Sequence, residues 1–259
     1  MFLESSRPLV FAHRGGCALG PENTLPAFDL GIAAGADGLE LDVHLSQDGV
    51  VVVHHDDTLE RTTDGAGILA ARTADELARV DAGFRFEAAG AHPFRNQGAG
   101  IPSLAAVLRR YPDTRIIIEM KVDSREMGEA VAREVRKAGA AERVCAAGFG
   151  ARSAAAARAA LPEMAASACH REVRMAVFRS MARYPVGRAR YDVYQVPEIA
   201  GRIRVVSPRF IRHSHNANLK VQVWTVDDEA DMNRLLAWGV DALITNRPDL
   251  AVGVRNAGS

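Results

Sequence analysis

Short runs of apolar residues alternate along the chain with longer stretches of helical pattern. An apolar run between turn signals is typical of a strand buried on both faces, and strands separated by helices indicate βα units around a parallel sheet. We predict eight strands, the number that closes a (β/α)8 TIM barrel. They cover residues 10–12, 38–43, 116–119, 144–147, 164–168, 193–196, 221–225 and 242–245.

The intervening helices carry start and stop signals. Thr24 is suited to cap a helix after the first strand, and Asp227 is suited to cap another that Gly239 closes. Residues 151–160 and 172–183 also have helical composition, but their apolar residues are less clearly confined to one face. The strands beside these two helices are therefore defined less sharply by the pattern.

One connection is much longer than the others. Residues 44–115 separate the second predicted strand from the third, whereas a βα loop usually has about two to six residues. Residues 50–53 favour a hairpin arm, the following glycines indicate a loop-rich cap, and residues 103–110 resume the helical pattern. We expect one domain over residues 1–259, with a cap inserted at about 44–102 between the second strand and its helix.

Composition excludes several classes of partner. The 259 residues include 32 basic and 32 acidic side chains, so no net charge favours nucleic acid or an anionic membrane. Three scattered cysteines suit a reduced compartment better than a disulfide framework, and we expect a cytoplasmic protein. No apolar stretch has the length of a signal peptide or a membrane span. A small-molecule partner is the remaining expectation, and the sequence leaves the oligomeric state open.

Glu40 and Asp42 are the most informative pair. On a strand, residues two apart face the same side, so both carboxylates share one face while their apolar neighbours take the other. Two like charges on a buried face are unfavourable unless a cation lies between them. In a barrel, strand ends converge on one mouth, where chemistry is found. The other ionisable, amide or aromatic residues at predicted strand ends are His13, Glu119, Lys121, Trp224 and Asn246.

Six short motifs in this order resemble those of the glycerophosphodiester phosphodiesterases. They are His13-Arg14-Gly15 with Pro21-Glu22-Asn23-Thr24, the stretch 35–43, Asp48-Gly49 with Val52-Val53, the stretch 55–63, Glu119-Met120-Lys121, and the stretch 223–226 with 241–248. Each motif alone is common, but six in register are specific, and they span residues 13–248. The resemblance implies a barrel enzyme with an inserted cap. Such an enzyme hydrolyses glycerophosphodiesters to glycerol 3-phosphate and an alcohol with one divalent cation.

The resemblance also implies roles for single residues. It makes Glu40, Asp42 and Glu119 the metal ligands, and an all-carboxylate site suits Mg²⁺ or Ca²⁺ better than Zn²⁺. It makes His13 and His55 the general acid and base, in an order that the sequence leaves open. The attacking oxygen comes from water or from the neighbouring glycerol hydroxyl.

The same resemblance implies supporting roles for further residues. Arg14 and Lys121 are placed to balance charge on the phosphoryl oxygens. Trp224 either fills the top of the barrel or forms a wall against the substrate. The residues that position the others are Glu22 and Asn23.

Plainer roles compete with these interpretations. Glu119 and Lys121 could form a simple ion pair, and the two acids of the second strand could pair with arginines. Cys17 has no neighbouring base that would make it a nucleophile, and His54 is expected to pack or to face solvent. The histidines that receive no role are His170, His213 and His215.

The chain departs from the family pattern in two places. After the fourth strand it has Ala147-Gly148-Phe149 where the family usually has a serine followed by phenylalanine. Residues 152–195 match only loosely, and we expect this side of the mouth to shape the leaving-group pocket. Two alternatives stay open: a phosphodiesterase like lysophospholipase D, and a catalytically silent barrel that binds phosphorylated ligands. A silent barrel would be marked by the loss of a histidine or an acid, and all five are present.

Overall fold

The eight predicted strands form a parallel barrel in the computed structural model, which describes residues 2–187 and 189–258. The described residues contain eleven strands, of which β3, β8 and β9 are not part of the barrel order. The strands are β1 (Leu9–Ala12), β2 (Gly38–Leu45), β3 (Val51–Val53), β4 (Arg115–Met120), β5 (Val144–Ala147), β6 (Ala165–Ala166), β7 (Val193–Pro197), β8 (Ile199–Ala200), β9 (Ile203–Arg204), β10 (Lys220–Trp224) and β11 (Ala242–Thr245). Barrel neighbours pair in the order β6, β5, β4, β2, β1, β11, β10, β7. A parallel bridge between Ser167 and Val193 joins the two ends of this order. The (β/α)8 prediction is confirmed.

Helices follow the barrel strands on the outside. They are α1 (Leu25–Ala33), α2 (Ala74–Leu77), α3 (Leu104–Arg110), α4 (Arg125–Lys137), α5 (Ala151–Ala160), α6 (His170–Ala182), α7 (Pro208–His215), α8 (Glu229–Trp238) and α9 (Pro248–Ala257). Eight of them complete βα units, and α2 lies in the insertion between β2 and α3. Within residues 2–187 and 189–258, no helix combines the length and the apolar character needed to cross a bilayer.

Of the two helix caps predicted from the sequence, one is confirmed and the other is wrong. Thr24 Oγ1 accepts a hydrogen bond from the amide of Ala27 at the start of α1. The prediction that Asp227 caps α8 is wrong, because Asp228 accepts the amide hydrogens of Ala230 and Asp231. Asp227 is instead turned toward the chain that leaves β11.

The barrel strands separate two kinds of surface. On β2, the side chains of Leu39, Leu41 and Val43 pack into the layer under the helices, whereas Glu40 and Asp42 face the interior. A separate apolar cluster fills the interior of the barrel, and three of its members, Ile117, Ala147 and Ile244, also line the cavity at the mouth. The other members are Phe2, Leu9, Phe11, Cys145, Val193 and Ala242. The strand acids can therefore meet ligands at the mouth formed by the carboxyl ends of the strands.

The insertion is anchored directly to the strand that carries the two acids. β3 runs antiparallel to β2, with Val53 opposite Val43. The amide of His54 donates to the carbonyl of Asp42 at 3.0 Å. The insertion buries its own apolar cluster, formed by Val52, Leu59, Leu69, Leu77, Ala82 and Ile101. This packing holds residues of the insertion beside the mouth of the barrel.

Candidate active site

Three carboxylates meet at the mouth of the barrel. Glu40 and Asp42 lie on β2, and Glu119 lies opposite Asp42 on the neighbouring β4. One oxygen from each lies within 4.8 Å of the other two, and Glu40 and Asp42 are only 4% and 2% exposed. Burial, followed by the charges of Asp42 and Glu119, raises the pKa of Glu40 well above its ordinary value. Burial and the charge of Asp42 also raise the pKa of Glu119.

Two cations partly balance these acids. Lys121 Nζ lies 2.8 Å from Glu119 Oε1 and 3.4 Å from Asp42 Oδ1. Arg14 Nε lies 3.3 Å from Asp42 Oδ2. Burial opposes the charged form of Lys121, but the two carboxylates outweigh burial and raise the pKa of the ammonium group. When all three carboxylates are ionised, the two cations leave one negative charge of the cluster unbalanced.

His13 reaches the acids through a tight turn after β1. Arg14 adopts a left-handed conformation with φ of 51°, and its amide donates to Glu40 Oε2 at 2.9 Å. Gly15 follows with φ of 90°, and a Cβ there would lie 2.7 Å from the ring of Phe28. Only glycine therefore fits this turn. The turn places His13 Nε2 3.9 Å from Glu40 Oε2.

A chain of hydrogen bonds orients the His13 ring. Asn246 Nδ2 lies 2.7 Å from Asp227 Oδ2, and because a carboxylate only accepts, the amide nitrogen of Asn246 must face Asp227. Asn246 Oδ1 then faces His13 Nδ1 at 2.6 Å, so Nδ1 carries the proton and Nε2 is left as the acceptor. Burial lowers the pKa of His13 despite the opposing hydrogen bond to Asn246.

His55 comes to the same cavity from the insertion. Its Nδ1 lies 2.6 Å from Asp56 Oδ1, while Arg61 Nε donates to the other oxygen of Asp56 at 2.5 Å. The hydrogen bond from Arg61 is the main cause that lowers the pKa of Asp56. His44 Nε2 donates to the carbonyl of His55 at 3.0 Å, which fixes the backbone beneath the ring.

Glu22 and Asn23 lie behind the residues that face the cavity. Glu22 accepts two hydrogen bonds from Arg61, at 2.8 and 2.7 Å, and one from Arg14 at 3.0 Å. Although burial favours its neutral form, these arginines lower the pKa of Glu22 to about 2. Asn23 Nδ2 donates to Asp42 Oδ2 at 2.9 Å, and Asn23 Oδ1 accepts from the amide of Asp42. The pair therefore joins the first turn, the strand acids and the insertion.

Residues given no chemical role in the sequence have varied surroundings. His54 is buried, and its ring donates to the carbonyl of Thr58. Cys17 Sγ lies 2.7 Å from Asn246 Oδ1, and burial raises the pKa of the thiol to about 12. His170 lines the cavity, although its position in a helical pattern gave no signal of this.

Eight of the ten predicted site residues line one cavity of about 910 Å³, and only Glu22 and Asn23 lie behind it. Trp224 forms part of the wall with Phe149, their ring centroids lying 6.0 Å apart. The rest of the wall is largely apolar and comes from α6, β7 and the β8–β9 hairpin. Residues 152–195 were expected to shape this side of the mouth, but the sequence did not reveal that the wall is apolar, nor that His13 pairs with a residue 233 positions away.

Comparisons with known proteins agree with this geometry. The model of the glycerophosphoryl diester phosphodiesterase family matches residues 13–250. A glycerophosphodiester phosphodiesterase of Caldanaerobacter subterraneus subspecies tengcongensis is 29% identical over 257 residues, covering 97% of this chain and 99% of that protein. The crystal structure of a glycerophosphodiester phosphodiesterase from Agrobacterium tumefaciens superposes with a TM-score of 0.79 at 30% identity, covering 95% and 99% of the two chains. A phosphodiesterase of Oleispira antarctica, solved with the product sn-glycerol 3-phosphate, superposes with a TM-score of 0.75 at 23% identity, covering 96% and 97%.

Proposed function

Because the chain belongs to the glycerophosphoryl diester phosphodiesterase family and is a phosphodiester-hydrolysing enzyme, we propose that it converts glycerophosphodiesters to glycerol 3-phosphate and an alcohol with one divalent cation. The observation that carries this proposal is the placement of three acids and two histidines on one cavity. The product bound to the Oleispira antarctica protein is the product that this reaction would release.

Glu40, Asp42 and Glu119 would hold the cation. All donor atoms of the set are carboxylate oxygens, which suits Mg²⁺ or Ca²⁺. Burial raises the pKa of Glu40, repulsion from Asp42 and Glu119 raises it further, and a divalent ion would relieve that repulsion. When bound, such an ion withdraws negative charge from the phosphoryl oxygens. Arg14 and Lys121, which already contact the acids, would bind the remaining phosphoryl oxygens.

His13 and His55 would divide the two proton transfers. In the reaction a bond forms between phosphorus and the attacking oxygen of water or of the neighbouring glycerol hydroxyl, and the bond to the leaving oxygen breaks. One imidazole takes the proton of the attacking oxygen, and the other gives a proton to the leaving alkoxide. His13 presents an unprotonated Nε2 toward the acids, and Asp56 holds His55 through Nδ1, so each ring has one nitrogen free for the task.

A cytoplasmic location is part of the proposal. Its support is that Cys17, Cys145 and Cys169 are all free thiols, as a reducing compartment favours.

A direct assay tests the function. Glycerophosphocholine, glycerophosphoethanolamine and glycerophosphoglycerol are incubated with the protein in Mg²⁺, in Ca²⁺ or in chelator, and glycerol 3-phosphate is measured. We expect release only with a divalent ion, and a loss of at least about a hundredfold in His13→Ala and Glu40→Ala. His92→Ala and Glu163→Ala replace exposed residues of the same types and serve as controls. Full activity in chelator, or full activity in His13→Ala, would exclude the proposal.

A further inference from the structure

The cavity at the mouth has two chemically different halves. One half carries the acids, the two histidines, Arg14 and Lys121. The other is lined by apolar side chains from three elements, including Val177 of α6, Val196 of β7 and Ile203 of β9. Glycerol, phosphate and a small polar alcohol use only the first half, because their groups need hydrogen bonds and charge rather than apolar contact.

One face of α6 forms one wall of the apolar half. Val173, Val177, Phe178 and Met181 all line the cavity, and their spacing puts them on one side of the helix. His170 and Arg174 of the same helix also line it, so the wall is mainly but not wholly apolar. Phe178 is 69% exposed and Met181 is 56% exposed, so two large apolar side chains stand in solvent at the edge of the site. Apolar side chains grouped in this way mark a binding surface more often than isolated ones do.

The opposite wall is the β8–β9 hairpin. Ala200 and Ile203 pair across it and both line the cavity. Its base is fixed because Arg234 donates to both carboxylate oxygens of Glu198, at 2.7 and 2.9 Å. The apolar half is therefore a groove between a helix and an anchored hairpin.

Exposed apolar surface is concentrated beside this groove. Of the ten large hydrophobic side chains that are exposed in residues 2–187 and 189–258, three lie elsewhere in the chain. Four of the other seven, Phe149, Phe178, Met181 and Ile203, line the cavity itself, and the remaining three are Met175, Tyr184 and Ile199. Because these four side chains line the same cavity as the acid cluster, they point to the substrate as the molecule that covers the groove.

We propose that the enzyme acts on phosphodiesters in which one arm carries a long hydrocarbon chain, and that the chain lies in the groove between α6 and the hairpin. This inference rests on the proposed function. Two kinds of phosphodiester have such an arm. A lysophospholipid carries the chain on the glycerol arm, and a glycerophosphodiester of a long-chain alcohol carries it on the alcohol arm. In both, the bond between phosphorus and the leaving oxygen breaks, water supplies the new oxygen, and the chain stays with its own arm.

A chain-length series tests the proposal. The values of kcat/KM for glycerophosphocholine and for lysophosphatidylcholines of increasing acyl length are measured below the critical micelle concentrations. We expect kcat/KM to rise about two- to fourfold for each methylene that enters the groove. A parallel series of glycerophospho-alkyl esters shows which arm the groove accepts. A flat profile in both series would overturn the inference.

Variants assign the effect to the groove. In Phe178→Ser/Met181→Ser we expect the ratio of kcat/KM for the long-chain substrate to that for glycerophosphocholine to fall about tenfold or more. Ile68→Ser removes a similarly exposed apolar side chain in the insertion and should leave the ratio unchanged. An unchanged ratio in the double variant would overturn the inference.

The remaining occupants of the groove give different results. Sedimentation that shows a dimer, broken by the double variant, together with a flat chain-length profile would assign the surface to a second copy. Loss of binding to anionic vesicles with a flat profile would assign it to a bilayer. Both results overturn the inference but leave glycerophosphocholine hydrolysis intact, whereas failure to hydrolyse any diester overturns the proposed function itself.

Discussion

Asn246 Oδ1 lies 2.6 Å from Nδ1 of His13, and this contact determines which nitrogen of the ring faces the acids. The amide can present its oxygen to His13 because Asp227 accepts from its nitrogen at 2.7 Å. Asp227 also accepts from the hydroxyl of Thr245 and from the amide of Asn246. Asp227 is therefore a positioning residue that acts on His13 through Asn246.

We predict that Asn246→Leu and Asp227→Asn lower kcat for glycerophosphocholine about tenfold to a thousandfold with little change in KM. Without the fixed amide, His13 loses its preferred tautomer and its orientation. Steady-state kinetics check the rates, and ¹⁵N NMR of the imidazole checks the tautomer.

Asp228→Asn is the matched control. Asp228 is adjacent in sequence but caps α8, and asparagine caps a helix about as well as aspartate. Equal losses in Asp228→Asn and Asp227→Asn, or an unshifted tautomer in Asp227→Asn, would contradict the positioning role.

The same two aspartates show where sequence reasoning stops. Asp227 and Asp228 both precede α8 and are equally suited to cap it. Asp227 does not cap the helix because it binds Asn246, a residue that comes near only when the barrel closes. The common face of Glu40 and Asp42 was predictable, because alternation along a strand is a local property.

The apolar wall was not predictable for a related reason. On α6, Ala176 is buried while Val177 and Phe178 turn to the cavity, so the apolar residues serve two surfaces and blur the helical period. The eight strands were predictable because each is an apolar run between turn signals. One of them, β6, is shorter than predicted, because only Ala165–Ala166 is paired as strand.

Cys17 should be chemically inert despite its place beside His13. Burial raises the pKa of its thiol to about 12, so almost none is thiolate at neutral pH. We predict that Cys17→Ala keeps kcat/KM within about threefold and that iodoacetamide does not inactivate the enzyme. Mass spectrometry locates any label, with buried Cys145 and Cys169 as internal references. Inactivation that substrate prevents and Cys17→Ala abolishes would refute this.

Glu22 should stabilise the fold at neutral pH and lose that effect in acid. Its pKa is lowered from an ordinary 4.5 to about 2 by Arg61 and Arg14, so the folded state holds fewer protons than the unfolded state between these values. Stability from the carboxylate is full above 4.5 and disappears as the pH falls toward 2. At neutral pH we expect Glu22→Gln to lower the free energy of unfolding by about 1–3 kcal/mol, since the half-exposed Arg61 is partly screened by solvent.

Urea denaturation at several pH values checks this. The difference between the parent protein and Glu22→Gln should narrow as the pH falls below 4.5, whereas Glu163→Gln, at an exposed position, should match the parent throughout. A difference that is constant with pH would show that the loss comes from packing and not from charge.

Glu40 should oppose stability while serving function. The carboxylate is buried beside Asp42 and Glu119, so without a cation its charge is repelled by both neighbours. Glu40→Gln removes that charge but keeps the shape, and its oxygen can still accept from the amide of Arg14. In chelator we therefore expect the free energy of unfolding of this variant to exceed that of the parent protein by about 1 kcal/mol, although its activity is lost.

Adding Mg²⁺ or Ca²⁺ should reverse the order of stability. A ligand that binds only the folded state stabilises it in proportion to the logarithm of its concentration. The melting temperature of the parent protein should therefore rise with cation while that of Glu40→Gln stays nearly fixed. Glu163→Gln should rise like the parent, because this exposed residue lies outside the acid cluster. An equal rise in Glu40→Gln and in the parent would show that the ion binds elsewhere on the protein and not between these three acids.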